Sequence, residues 1–322
     1  MDYTELGRTG LKVSVAGLGC GGNSRLGMSA GRSEAECVAV VRAAMDLGVN
    51  FIDTAEDYGT EAIVGKAVAA IPRDSVVVST KSLIRKQGER QTPDRVRAAL
   101  DASLDRLGMD CVDVYLLHAV SPADYDYAVQ EIAPVLAREK EKGKLRHFGL
   151  TETGPNDPTQ EMLKRAAKDP VWDVAMLAFS LMNQGARRDV LPFTQANGIG
   201  TLLMFVVRNI FSRPDELRQT MADLAAKGEV PADLAERENP LDFLVHEGGA
   251  ECVTDAAYRF ARHEPGADVV LFGTGNVDHV AANVASILRP PLPEADRATL
   301  TRLFGHLSGV GLVLPDRVKK GL

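Results

Sequence analysis

The sequence lacks most of the features that fix a function at first sight. Among its 322 residues only four are cysteines, Cys20, Cys37, Cys111 and Cys252, and none forms a C-x-x-C pair. That excludes a zinc ribbon or dithiol motif and fits reduced thiols. Positive charge is not in excess: the net charge is −7, which argues against a nucleic-acid partner. There is no run of eighteen apolar residues, so no helical membrane span is expected. The opening MDYTELGRTG has neither the basic nor the apolar region of a secretory signal, and the expected compartment is the cytoplasm. H-E-x-x-H and P-loop motifs are missing, as is a serine or cysteine nucleophile paired with a base.

What is present is alternation. Short apolar, β-rich runs occur at 15–18, 51–53, 76–80, 112–117, 145–150, 174–177, 200–205 and 269–272. Between them lie stretches of helical periodicity, such as SEAECVAVVRAAMDLG and TPDRVRAALDASLDRLG. Ser33 with Glu36 reads as a capping box, and Thr92 followed by Pro93 as a second helix start. Gly48, Gly108 and Gly143 stand where helices should end. Strand, helix, strand in regular succession means parallel pairing with right-handed crossovers. Eight such units with no dividing linker close a barrel more readily than they form two open sheets. The expectation is an α/β fold: one TIM (β/α)8 barrel domain over 1–322. Additions are an N-terminal β-hairpin turning near residues 8–10, a long insert (208–250) after the seventh strand, and an extra C-terminal helix in PEADRATLTRLFGHL.

The segment AGLGCGG, 16–22, raises a rival, because Gly17, Gly19 and Gly22 fit the G-x-G-x-x-G of a Rossmann dinucleotide loop. Two features oppose it. No helix starts directly after it, since NSRLGMSAGR intervenes, and the next strand-end acid, Asp53, comes about 30 residues later rather than about 20.

In a barrel the active site gathers at the carboxyl ends of the strands. FIDTAEDYG places Asp53 at the second strand end, with Tyr58 in the loop after it. VVVSTK places Lys81 at the third, and VYLLH places His118 at the fourth. Singly, each has an ordinary structural explanation: a turn cap, a packing aromatic, a solvated lysine, a hydrogen-bonded histidine. Jointly, polar groups at three adjacent strand ends are poorly explained as surface decoration. An ammonium beside a phenol favours the phenolate and makes the phenol a better acid. A carboxylate against the ammonium keeps it charged, and an imidazole can hold a substrate oxygen or relay its proton. Such a set is a general acid aimed at a carbonyl oxygen. With no nucleophile evident, it points to carbonyl reduction with an outside hydride source. Two other readings stay open. One is a Schiff-base aldolase using Lys81; the other is a nucleotide-binding regulatory subunit without turnover.

FIDTAEDYG, STK and LLH resemble the signature segments of the aldo-keto reductase superfamily. The opening YTELGRTGLKVSVAGLGCGG, then GKLRHFGLTET and LFGTGNVDHVAANV, extend the likeness over nearly the whole chain. The resemblance implies a TIM barrel that reduces an aldehyde or ketone, or oxidises the alcohol, with NADP(H) favoured and NAD(H) possible. It makes Tyr58 the proton donor, Lys81 and Asp53 the pair that tunes it, and His118 the group that orients the carbonyl. Gly19, Cys20 and Gly21, with Asp53, match the loop lining the cofactor. Thr151 and Glu152 stand where the family often has Ser-Asn against the carboxamide, and Met176 stands where a glutamine is usual. Met204, with Phe205 beside it, stands for the aromatic that stacks on the nicotinamide, and Val206, Val207 and Arg208 continue that wall. The phosphates are expected at Gly273, Thr274 and Gly275. Gly273 and His279 replace a basic pair, Asn283 is retained, and Arg208 is the candidate replacement charge. Substrate choice is expected from the loop 121–126, the insert and the tail ending PDRVKKGL. The partner is then a small carbonyl or alcohol, with no nucleic acid and no membrane, and oligomeric state is left open.

Overall fold

The computed structural model describes residues 1–313. Eight strands form the barrel: β1 Ala16–Gly19, β2 Phe51–Asp53, β3 Val77–Leu83, β4 Val112–Val120, β5 Leu145–Glu152, β6 Val174–Ala178, β7 Gly200–Met204 and β8 Val269–Phe272. All eight pair in parallel with their sequence neighbours, β8 with β1 included, and the sheet is closed. The barrel is the TIM (β/α)8 architecture expected from the alternation. The strands are buried on both faces, which is why they read as near-continuous apolar runs.

The helices outside the barrel are α1 Glu34–Asp46, α2 Glu61–Val68, α3 Pro93–Leu107, α4 Ala133–Glu141, α5 Glu161–Ala166, α6 Leu191–Ala196, α7 Val253–Arg262 and α8 Val277–Leu288, followed by the extra helix α9 Glu294–Phe304. The capping box at Ser33 and Glu36 forms, and Thr92 caps α3 with Pro93 in its first turn. Two stretches of helical periodicity, 127–143 and 187–198, are interrupted at prolines. Ahead of Pro134, residues Ala128–Ile132 widen into a π turn. Ahead of Pro192 the chain breaks at Val190, φ −129°. A proline ring cannot donate to the helical ladder and crowds the carbonyl one turn back, so the helix widens or breaks there.

The core has two layers. Inside the barrel, Phe51, Val77, Val114, Leu116, Val174, Met176, Leu202 and Val269 pack together. The N-terminal hairpin, Tyr3–Glu5 paired with Lys12–Ser14, closes the amino end of this layer by adding Leu6 and Val13. A larger layer fills the space between strands and helices. One end of the barrel is therefore plugged, and the carboxyl ends of the strands form the open mouth. The insert after β7 carries a helix, Pro214–Ala226, and its Leu234, Leu241 and Leu244 are buried. It is tied to the C-terminal part of the chain by His246 to Asp296, at 3.0 Å, and by His306 to the Glu229 carbonyl, at 2.8 Å. Among the described residues no helix is long and apolar enough to cross a membrane, and no group of acids, histidines and cysteines could hold a metal ion. The tail from Pro315 onward lies outside the described residues.

Candidate active site

Asp53 ends β2 and Lys81 lies in β3, with its side chain fully buried in the mouth. The Lys81 ammonium donates to both Asp53 oxygens at 2.7 Å and to the Thr54 carbonyl at 2.9 Å. Burial works against the Lys81 charge, and the Asp53 carboxylate and Tyr58 together more than offset it, so the ammonium is held above its ordinary value. Breaking such a pair by removing one member would strand a buried charge, at a cost of about 3–5 kcal/mol.

Tyr58 closes a short turn, Glu56–Tyr58, between β2 and α2. Gly59, at φ 67°, ends that turn, and Arg25 Nε fixes its backbone by donating to the Tyr58 carbonyl at 2.7 Å. The Lys81 ammonium lies 4.9 Å from the centre of the Tyr58 ring, and a hydrogen bond with Tyr58 is among the contacts that hold the ammonium charged. His118 meets Tyr58 edge to face, with ring centres 5.7 Å apart. A bulge sets its position: between Leu117 and Val120, β4 has one residue more than β5, and Ala119 takes φ 57°. The Ala119 amide donates to Thr151 Oγ1 at 2.9 Å. Bulges beside active sites re-aim side chains in this way. The structure therefore brings Asp53, Tyr58, Lys81 and His118 together at one mouth.

The glycines of AGLGCGG are explained by close approach. A side chain on Gly21 would begin 2.4 Å from Tyr58 Cε2, so only glycine lets the phenol ring lie on this loop. Gly275 meets Gly27 equally closely, which pins the loop after β1 to the loop after β8. Cys20 is fully buried, its thiol pushed up by burial and by Asp53, so only its backbone can face a ligand. Its amide donates to the Asp53 carbonyl at 2.8 Å.

The other cofactor candidates fall in two places. Thr151 and Glu152 end β5, both buried. Glu152 Oε1 accepts from the Ala178 amide and, at 3.1 Å, from Gln160 Nε2; Oε2 has no hydrogen-bond partner among the described residues. Burial raises the Glu152 carboxyl to about 8, so it is mostly protonated at neutral pH. Met204 ends β7, Val206 is buried and Val207 half-buried. Phe205 takes the left-handed φ 61°, its ring over Gly154, and the Arg208 guanidinium stacks on it at 4.5 Å. Gly273 and Gly275 are accessible, and Thr274 Oγ1 accepts from the Asn276 amide at 3.1 Å. Asn276 caps α8, where His279 is exposed and Asn283 half-buried. Arg208 is not at α8 but at the mouth, within the electrostatic reach of Tyr58.

Several contributors escaped the sequence reading. A small hairpin after β3, Arg85–Lys86 with Glu89–Arg90, stands on the rim. Buried Asp124 holds it through Arg85 Nε at 2.8 Å and Arg90 Nε at 2.7 Å, and Lys86 pairs with Glu56 at 2.7 Å. The dipeptide Gln87-Gly88, both at positive φ, was the available signal. Arg25 and the Thr54 carbonyl gave none, since a backbone acceptor and a long-range contact leave no local pattern.

With this geometry in hand, relatives are informative. The profile of the Aldo/keto reductase family matches residues 17–304. The chain is 30% identical to L-galactose dehydrogenase from Arabidopsis thaliana, covering 96% of this chain and 95% of that one. It is 32% identical to NADH-specific methylglyoxal reductase from Escherichia coli (strain K12), over 62% of this chain and 65% of that one. The holo form of aldo-keto reductase AKR11C1 from Bacillus halodurans superimposes with a TM-score of 0.68 at 23% identity, covering 94% of this chain and 96% of that one.

Proposed function

The chain belongs to the aldo/keto reductase family of oxidoreductases, and on that premise we propose that it interconverts an aldehyde or ketone and its alcohol with a nicotinamide dinucleotide. The observation that carries this reading is the buried Lys81 ammonium, bonded to Asp53 and set 4.9 Å from the Tyr58 ring. Fixed positive charge beside a phenol favours proton release from it. Tyr58 is the proton donor to the carbonyl oxygen, and His118 orients that oxygen. The Asp53 and Lys81 pair does not touch the substrate; it keeps a preorganised charge where oxygen charge develops.

The residues present suit a dinucleotide. Gly21 keeps the floor beside Tyr58 clear, and Glu152 Oε2 offers an unsatisfied buried group at the β5 end. The bound nicotinamide supplies or accepts the hydride. Thr151, Glu152, Met204 and Phe205 hold it at the mouth, and Gly273, Thr274 and Gly275 receive phosphate at the head of α8. NADP(H) is favoured on family grounds. The first turn of α8, however, carries Asp278 and His279 rather than lysine or arginine. NADH should therefore be accepted too, as it is by the methylglyoxal reductase relative. The charged rim of Glu56, Lys86 and Arg208 suits small polar carbonyl compounds, a class that includes the substrates named for both relatives.

The aldolase reading is disfavoured by the same ammonium, since a nucleophilic amine needs a lowered pKa and Asp53 pushes Lys81 the other way. The regulatory reading draws on Met176 and Met204, which cannot make the polar and aromatic contacts usual at their positions. One assay separates the three. Purified protein with NADPH or NADH and 4-nitrobenzaldehyde should consume the nicotinamide absorbance with either nucleotide. Binding of both nucleotides without turnover in either direction would favour the regulatory subunit, and a borohydride-trapped adduct on Lys81 would favour the aldolase.

A further inference from the structure

Four cations described above at the mouth have a carboxylate. Lys81 has Asp53, Lys86 has Glu56, and Arg85 and Arg90 share Asp124. Arg208 has none among the described residues. Its guanidinium lies 4.5 Å above the Phe205 ring and gives one N–H to the Val313 carbonyl. Burial lowers its ordinary value, and among the described residues Tyr58 acts in the opposite sense. A half-buried cation with no counter-charge among the described residues is favourably completed by an anion.

The position of Arg208 narrows what that anion is. Nη1 comes 3.9 Å from where a side chain on Gly22 would begin, while the Tyr58 ring packs on the adjacent Gly21. Gly22 itself has φ 68°, a conformation any side chain would strain, so the space under the guanidinium stays open. Tyr58 and Arg208 thus stand on one two-residue floor. The ring beneath the guanidinium fixes its plane, and Phe205 holds that ring in a left-handed backbone conformation unusual for an aromatic residue. A planar fork held this way presents paired N–H donors, the geometry that carboxylates match.

We propose that Arg208 is a substrate-recognition residue that binds a carboxylate carried by the carbonyl substrate, so that the preferred substrates are oxo acids rather than neutral aldehydes. The proposal rests on the reading of Tyr58 as proton donor at this mouth. It also reassigns Arg208 from the far end of the dinucleotide, at His279 and Asn283, to the reacting end.

The test compares 4-carboxybenzaldehyde with 4-nitrobenzaldehyde, which differ in charge and little in shape. In Arg208→Gln the ratio of kcat/KM for the carboxylate over the nitro compound should fall by about tenfold or more, mostly through KM, the effect of losing one charge-assisted contact. Arg208→Lys should recover part of it. Calorimetry gives a readout independent of turnover: terephthalate should bind the wild-type protein and bind Arg208→Gln at least about tenfold more weakly. An unchanged ratio together with unchanged terephthalate binding would overturn the proposal. So would a common loss of NADH and NADPH affinity with no change in the ratio, which would place the dinucleotide diphosphate on Arg208. Should the wild-type protein reduce neither aldehyde, the oxidoreductase reading fails, and the calorimetric comparison still decides the anion site.

Discussion

At the scale of single residues, Asp53, Lys81 and His118 were legible because each is a polar residue at the end of an apolar run, and Tyr58 because it stands in the loop just after the run ending at Asp53. Gly21 was legible only as a glycine; its reason, the Tyr58 ring 2.4 Å from a would-be side chain, needs three dimensions. Glu152 was read as a replacement in a family pattern, but its protonation state was not. That state has a consequence for stability. The folded chain keeps a proton on Glu152 up to about pH 8, whereas the unfolded chain releases it near the ordinary value of 4.5. Unfolding therefore releases a proton between these values, and stability falls as pH rises through that window. Glu152→Gln cannot ionise and should lose the fall. In urea unfolding at pH 5, 7 and 9, the variant should gain about 1–3 kcal/mol over wild type between pH 5 and pH 9. Parallel pH profiles for the two proteins would show that the carboxyl is ionised in the fold.

At the scale of elements, the apolar-run criterion found every barrel strand but stopped two or three residues short on three of them. β3 continues through Lys81 to Leu83, β4 through His118 to Val120, and β5 through Thr151 to Glu152. The sequence pattern ends where polar side chains begin, and in a barrel that is where the chemistry sits. The backbone ladder has no such reason to stop. The rim hairpin Arg85–Lys86 with Glu89–Arg90 was invisible because its stability is not local. It is latched across the mouth by Asp124, whose carboxyl, despite burial, is held down to about 2 by Arg85, Ser121 and Arg90. Asp124→Asn should lower stability by about 1–2 kcal/mol, a figure discounted because both arginines are partly exposed. Amide exchange in residues 85–90 should quicken more than in the barrel strands. Uniform exchange across hairpin and barrel would mean that Asp124 does not act as the latch.

At the scale of the molecule, the two ends of the barrel have divided tasks. The amino end is sealed by an apolar hairpin, and the carboxyl end gathers left-handed residues, among them Ala119 and Phe205, beside buried charge. Unusual backbone conformations of this kind collect where function holds them. The closed parallel barrel was readable from eight alternating units, whereas the packing of the insert against α9 was not, because a Pro-, Glu- and Asn-rich stretch carries no periodicity to read. The account as a whole turns on the Tyr58 hydroxyl giving its proton to the substrate as hydride arrives. A single-turnover stopped-flow measurement tests this most directly: wild type and Tyr58→Phe, each saturated with NADPH or NADH, are mixed with 4-nitrobenzaldehyde. Loss of a general acid should slow the transient by about 10²- to 10⁴-fold while nucleotide affinity holds. A Tyr58→Phe transient within about threefold of wild type would contradict the account, because a phenyl ring has no proton to give.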